Sequence, residues 1–131
     1  MANPNIVNVQ GIVGNTSAII PASAYTPTVL LANAAGSANV YKVGLVSISN
    51  LSTSAQTATV AYYTNGAVSA NSTASGGVSF PIANSVSIPA NASLVVTDKV
   101  TNFYITENTS IVVTSAYANQ LAFVAAYEQI Y

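Results

Sequence analysis

The ten residues Leu121-Ala-Phe-Val-Ala-Ala-Tyr-Glu-Gln-Ile decide the fold class. Leu121, Phe123, Ala125 and Tyr127 fall on one side of a pleated strand and Ala122, Val124, Ala126 and Glu128 on the other, which is the two-residue period of β structure. Both sides are mostly apolar, so this strand is expected at the centre of a sheet or at a contact between subunits. Outward from it, segments rich in β-branched and aromatic residues recur at 28–31, 40–49, 57–64, 78–82, 85–88, 93–97, 103–106, 110–115 and 120–127, separated by turn residues. No window keeps a 3.6-residue period. The pattern predicts an all-β chain folded as an antiparallel β-sandwich of jelly-roll or immunoglobulin-like type.

Local signals refine the pattern. Tyr41, Val43 and Leu45 oppose Lys42 and Gly44 before the run turns apolar on both sides at Leu45 and Val46. Asn65-Gly66 predicts a tight type I′ hairpin, because both residues tolerate positive φ, and Gly76-Gly77 predicts another reversal. Pro81 and Pro89 lack the ladder donor and belong at strand edges or starts. Residues 1–38 differ in character: Ile6, Val7, Val9, Ile12 and Val13 are interrupted by Asn8, Gly11 and Gly14, and Pro21 and Pro27 interrupt the remainder of this region. Two readings are open, an extended N-terminal arm that pairs with a neighbouring subunit or the first strands of the same sandwich. The expected division is therefore 1–38, arm or first strands, and 39–131, β-sandwich domain.

A chain of 131 residues and 13.3 kDa makes one domain. Folding takes about 19,000 Å² of open-chain surface down to about 6,500 Å², enough for a real core without staples. Its ionic side chains are Lys42, Lys99, Asp98, Glu107 and Glu128, giving a net charge of −1. Histidine, cysteine, arginine and tryptophan are absent, which removes the common proton shuttle, the thiolate nucleophile, disulfides and the soft metal ligands together. Serine and threonine are plentiful but have no base to activate them. Asp98 and Glu107 are nine positions apart, and a structural role is expected for them rather than a catalytic pair or a calcium loop. The expectation is no catalytic residue, no cofactor and no metal. Two lysines cannot form a track for phosphates, so no nucleic-acid partner is expected. No membrane partner is expected either, since no window reaches the length of an apolar span. The start, Met1-Ala-Asn-Pro-Asn, lacks the basic and apolar regions of an export signal.

Low charge is itself informative. Small soluble monomers ordinarily keep about 25–35% of their surface ionic, whereas only 4% of this chain is charged. It reads as a subunit packed against neighbours, the alternative being an uncharged monomer coated by hydroxyls. Val7, Val9, Leu30, Leu31, Tyr127 and Tyr131 are the interface candidates. Asn-x-Ser/Thr sequons begin at Asn15, Asn50, Asn71, Asn91 and Asn108, a mild excess over the roughly three that composition would produce by chance. The eight tyrosines suit either sugar stacking or ordinary cross-strand packing.

Further pieces of sequence bear on identity. Val86-Ser-Ile-Pro-Ala-Asn-Ala-Ser-Leu-Val-Val-Thr-Asp-Lys is followed by Phe103-Tyr-Ile-Thr-Glu-Asn-Thr-Ser-Ile-Val-Val-Thr-Ser-Ala and by the closing stretch that ends Tyr127-Glu-Gln-Ile. Together with Tyr41-Lys-Val-Gly-Leu-Val-Ser-Ile-Ser-Asn-Leu-Ser and Ala55-Gln-Thr-Ala-Thr-Val, they resemble the small β-sandwich virion proteins of tailed bacteriophages, notably of marine and cyanobacterial hosts. The resemblance covers roughly residues 40–131. It departs at Asn108-Thr109-Ser110, where the family tends to have Gly-Asp-Ser, so no role of an acidic turn residue carries over. It implies a non-enzymatic virion part assembled in the host cytoplasm. A head decoration or cement protein is favoured, bound to the major capsid protein or other virion proteins as a small homo-oligomer, a trimer by preference. The alternatives are a neck, tail or fibre component, and a glycosylated pilin-like filament subunit joined by donor-strand exchange; a carbohydrate-binding adhesin ranks third.

Overall fold

The computed structural model describes residues 9–131. Their regular elements are all strands: β1 (Ile12–Ile19), β2 (Thr28–Asn33), β3 (Val40–Asn50), β4 (Gln56–Tyr63), β5 (Ser79–Ile88), β6 (Ser93–Thr97), β7 (Phe103–Ile105), β8 (Thr109–Ser115) and β9 (Leu121–Ile130). Sheet A runs β1-β9-β3-β6, with the short β7 beside β6 on the same flank of β3, and sheet B runs β2-β8-β4-β5. Every ladder is antiparallel. Counting β6 and β7 as one interrupted strand, the outermost pair is β1 with β9, then β2 with β8, β3 with β6 and β7, and β4 with β5. A long antiparallel ribbon wound so that successive pairs alternate between two facing sheets is a jelly roll. The fold is thus an antiparallel β-sandwich, and of the two types expected it takes the jelly-roll order.

The core lies where alternation places it. Leu121, Phe123 and Ala125 of β9 are fully buried against Ile111 and Val113 of β8 and Ala58 and Val60 of β4. β9 is central, hydrogen-bonded to β1 on one side and β3 on the other. A register shift around Gly44 then changes which side β3 presents: Val43 and Val46 are both fully buried, while Leu45 turns outward. The expected simple alternation of Tyr41, Val43 and Leu45 fails there because a bulge inserts one residue. A second bulge, between Val29 and Leu31, lets the neighbouring Leu30 and Leu31 both enter the core.

Residues 12–33 therefore belong to the body of the sandwich: β1 and β2 are built into opposite sheets, and the turn at 34–39 leads straight into β3. An arm reaching to residue 38 does not describe this backbone, because Ile19, Leu30 and Leu31 pack into the common core. Buried polar groups pin the turn. The Asn33 side-chain amide donates to the carbonyls of Asn39 (2.8 Å) and Ile105 (3.0 Å), and the Ala38 N–H donates to Glu107 Oε1 at 2.6 Å. Such groups cannot be buried cheaply without partners, so they tie the 34–39 turn to the 106–108 turn.

Asn65-Gly66 makes no two-residue hairpin. The connection from β4 to β5 runs through 64–78, and neither residue has positive φ. This loop folds over the outer side of sheet B, where Val68 and Ala74 pack on Val29, Tyr63 and Val112. Gly76 supplies the expected reversal with φ of 75°. The separate strands expected at 78–82 and 85–88 are one element, β5, irregular in register and carrying Ser85 at φ of 49°. β5 is an edge strand, which accommodates Pro81.

Candidate interaction surface

The outer face of sheet A is read from its registers. Thr16, Ala126 and Leu45 form one cross-strand row; Ala18, Val124, Ser47 and Val95 form the next; Ala122, Ser49 and Ser93 form a third. These positions alternate with the buried ones on β9 and β3, so their side chains stand on the solvent side. They are uncharged, mostly small, and exposed or half-exposed. The Ser49 and Ser93 hydroxyls meet at 3.2 Å. The result is a smooth, neutral sheet surface. Sheet B has nothing similar, because the 64–78 loop covers part of its outer side.

Charge gathers at one end of this face. Gly14 pairs with Glu128, and Glu128 pairs with Lys42 across β3 and β9. Together with Gly44 and with Lys99 of the 98–102 loop, they line a depression of about 430 Å³. Gly14 and Gly44 leave it open, since a Cβ at either would touch nothing within 4 Å. Three of the chain's five ionic residues thus share one shallow basin. A charged group of a docking partner would be held at this end only, which sets an orientation on an otherwise neutral face.

A second exposed apolar region lies on the opposite flank, where the two sheets part between β5 and the β6–β7 edge. Tyr62, Ile82, Val96 and Phe103 line a groove of about 590 Å³ there. Phe80 of β5 is 55% exposed and Val100 of the 98–102 loop 89% exposed. The sequence alone does not bring out this groove, although the apolar spacing of Phe80 and Ile82 in an edge strand is the available signal.

The interface candidates separate. Val7 lies outside the described residues. Val9 is half-buried just before β1, and Tyr131 is exposed over Gly11, where a Cβ would come within 2.7 Å of the Tyr131 ring. At this β1–β9 margin Gln10 and Gly11 donate to the Tyr131 carbonyl. Leu30 and Leu31, at 0% and 5% exposure, are core residues and not available for contact, because the β2 bulge turns both inward. Tyr127 shares the inward face of β9 and is half-buried against Tyr41, with ring centroids 5.0 Å apart at 40°. Burial pushes both phenols above their ordinary pKa, and proximity to Tyr41 adds to the rise at Tyr127.

The remaining polar groups have local tasks. Asp98 Oδ1 accepts from Val100 N–H at 2.9 Å and Thr101 N–H at 3.2 Å, closing its own turn. Glu107 is buried where it clamps the 34–39 turn. The Asn50 sequon is closed to modification in the folded chain: Asn50 is 3% exposed and its amide donates to the Ser54 and Ile88 carbonyls. Asn15, Asn71 and Asn91 are exposed. Among the described residues, no three metal-ligating side chains converge, and no helix is long and apolar enough to cross a membrane. Compared with known proteins, the chain matches no family model, no curated protein and no solved structure.

Proposed function

We propose that the chain is a non-enzymatic structural subunit of a tailed-phage virion: a decoration, or cement, protein that sits on the outer head surface, binds the major capsid protein and works as a homo-oligomer. The observation that supports this reading most is the outer face of sheet A, a broad neutral surface of mostly small side chains with charge confined to one end. Such a face has little to lose in desolvation when laid against another protein. Binding the assembled shell but not its dissociated parts stabilises the shell by mass action. Jelly rolls serve both capsid and lectin domains, so the fold is compatible with the reading without selecting it.

The test is immunogold labelling of particles from the native source with antibody raised against the purified chain. Label spread over the head shell, released together with the protein on mild heating, is the expected result. Label confined to neck, tail or fibre would overturn the decoration assignment while keeping a virion role. Label on filaments, or on no particle, would overturn both.

A further inference from the structure

We infer that two copies of this chain join through their β1 edges, antiparallel about a two-fold axis at Thr16. The inference stands on edge geometry and not on the virion assignment.

Among the described residues no strand pairs with the side of β1 away from β9, and the groups that point there are fixed by its hydrogen bonding to β9. Gly11 and Tyr131 exchange both bonds, Gly11 N–H to Tyr131 carbonyl at 3.0 Å and Tyr131 N–H to Gly11 carbonyl at 3.1 Å. The register continues without a shift from Ile12 opposite Ile130 to Ile19 opposite Phe123. Antiparallel ladders alternate bonded and non-bonded pairs, so residues 13, 15, 17 and 19 bond to β9. Ile12, Gly14, Thr16 and Ala18 then direct their N–H and C=O groups away from the sheet. The strand is regular and free of proline and charge, the kind of edge that pairs with another strand unless blocked.

The other edges are closed to such pairing. On β2, Val29 bonds in both directions to the 64–78 loop, through Ser72 at 2.8 Å and Asn71 at 2.7 Å. Ser17 Oγ donates to the Leu30 carbonyl at 2.6 Å. β5 is interrupted by Pro81 and two register shifts. β6 and β7 are five and three residues long, split by a loop that carries Asp98 and Lys99. A second copy therefore meets this edge with its own β1.

The sequence of the edge suits that partner. About Thr16 it is a chemical palindrome: Asn15 mirrors Ser17, Gly14 mirrors Ala18, Val13 mirrors Ile19 and Ile12 mirrors Ile20. A two-fold axis at Thr16 makes these the cross-strand pairs, with polar residues at the centre, small ones next and branched apolar ones at the ends. Thr16 is also one of the outward-bonding residues, so the pair on the axis is a bonded one, as the ladder requires. Ile12 and Ile20, 60% and 47% exposed, are covered by each other. The contact joins both A sheets into one continuous surface. A third copy finds no further edge among the described strands, so this contact gives a dimer in place of the trimer favoured from sequence.

The test uses the full chain. Sedimentation should show a reversible dimer, weakened at least tenfold by Thr16→Pro, which removes an outward N–H but no bond to β9, with the circular dichroism spectrum kept. Because the chain has no cysteine, Thr16→Cys supplies a unique thiol that should form an intermolecular disulfide on mild oxidation, whereas Ser79→Cys on β5 should not. If Thr16→Pro fails to fold, Thr16→Lys, which sets like charges across the axis, must weaken the dimer instead. A wild-type monomer, a trimer, a dimer indifferent to both substitutions, or equal cross-linking at both cysteines would each overturn the inference.

Discussion

β1 and β5 are both edge strands of similar length, eight and ten residues, and neither carries a charge. They differ in everything that governs whether an edge can be extended. β1 keeps one register along its whole length, while β5 shifts twice against β4, loses a donor at Pro81 and turns left-handed at Ser85. Many proteins guard their edges with lysine. This chain has two, and protects β5 with proline and bulges instead. That it spends such devices on one edge and leaves the other regular marks the regular edge as the place of contact.

The largest effect is expected from undoing the protection of a third edge, that of β2. Its cover, the 64–78 loop, passes so close to Asn33 that a Cβ on Gly66 would collide with the Asn33 carbonyl oxygen and lie 2.7 Å from the Thr109 nitrogen. These are backbone atoms and cannot swing aside. Gly66→Ala should destabilise the fold by about 1–3 kcal/mol, the range for a forced overpacking. It should also release the loop, so that the Val29 amide exchanges with solvent sooner. Denaturant unfolding and hydrogen exchange check this; an unchanged midpoint with Val29 still protected would sink it.

A smaller and opposite kind of change is expected at β5. Pro81→Val restores an N–H to an exposed edge beside Phe80 and Ile82. Loss of the proline's restraint on the unfolded chain costs about 0.4–1 kcal/mol. The more visible result should be association, read as light scattering that rises with concentration while the dichroism stays native. If Pro81→Val scatters no more than wild type, the contrast between the two edges does not depend on proline, and the β5 bulges must account for it.

What the sequence made legible, and what it hid, divides along similar lines. β9 was readable because a buried central strand shows the period of two without interruption from Leu121 to Tyr127. β1 was ambiguous because an edge strand, exposed at most positions, has no apolar contrast to display. Its palindrome was present in the letters, but it acquires meaning only once the Thr16 N–H is known to face outward. Leu30 and Leu31 are contact candidates in the sequence, and simple alternation would bury only one of two neighbours; a bulge cancels that rule and buries both, and nothing local announces it. Gly66 has a different task from the one its neighbour suggests. Next to Asn65 it satisfies hairpin chemistry, whereas the fold needs it for a close approach to Asn33, a contact between distant parts of the chain. The small-residue face of sheet A was likewise invisible until the registers aligned Ala126 with Leu45 and Val124 with Ser47.

The smallest effect separates the two edges by pH. Tyr127 sits opposite Asn15 of β1 and Val43 of β3, its ring tilted against Tyr41, in the sheet that does not contain β5. Burial raises the pKa of both phenols above 10.0, so the unfolded chain ionises before the folded one. Their contribution to stability is complete below pH 10 and is lost as pH rises through that value into the range where the folded phenols titrate. A series of urea midpoints taken upward from about pH 8 should be level at first and then fall. The loss should be reduced in the double variant Tyr41→Phe/Tyr127→Phe, which has nothing to ionise at this position. Amide exchange in β1 should accelerate at lower pH than in β5, after correction for the base-catalysed intrinsic rate, because the ionising pair lies beneath the β1–β9 ladder. A wild-type midpoint that stays level across this range, or a double variant that falls just as steeply, would show that the Tyr41–Tyr127 contact does not anchor the contact edge.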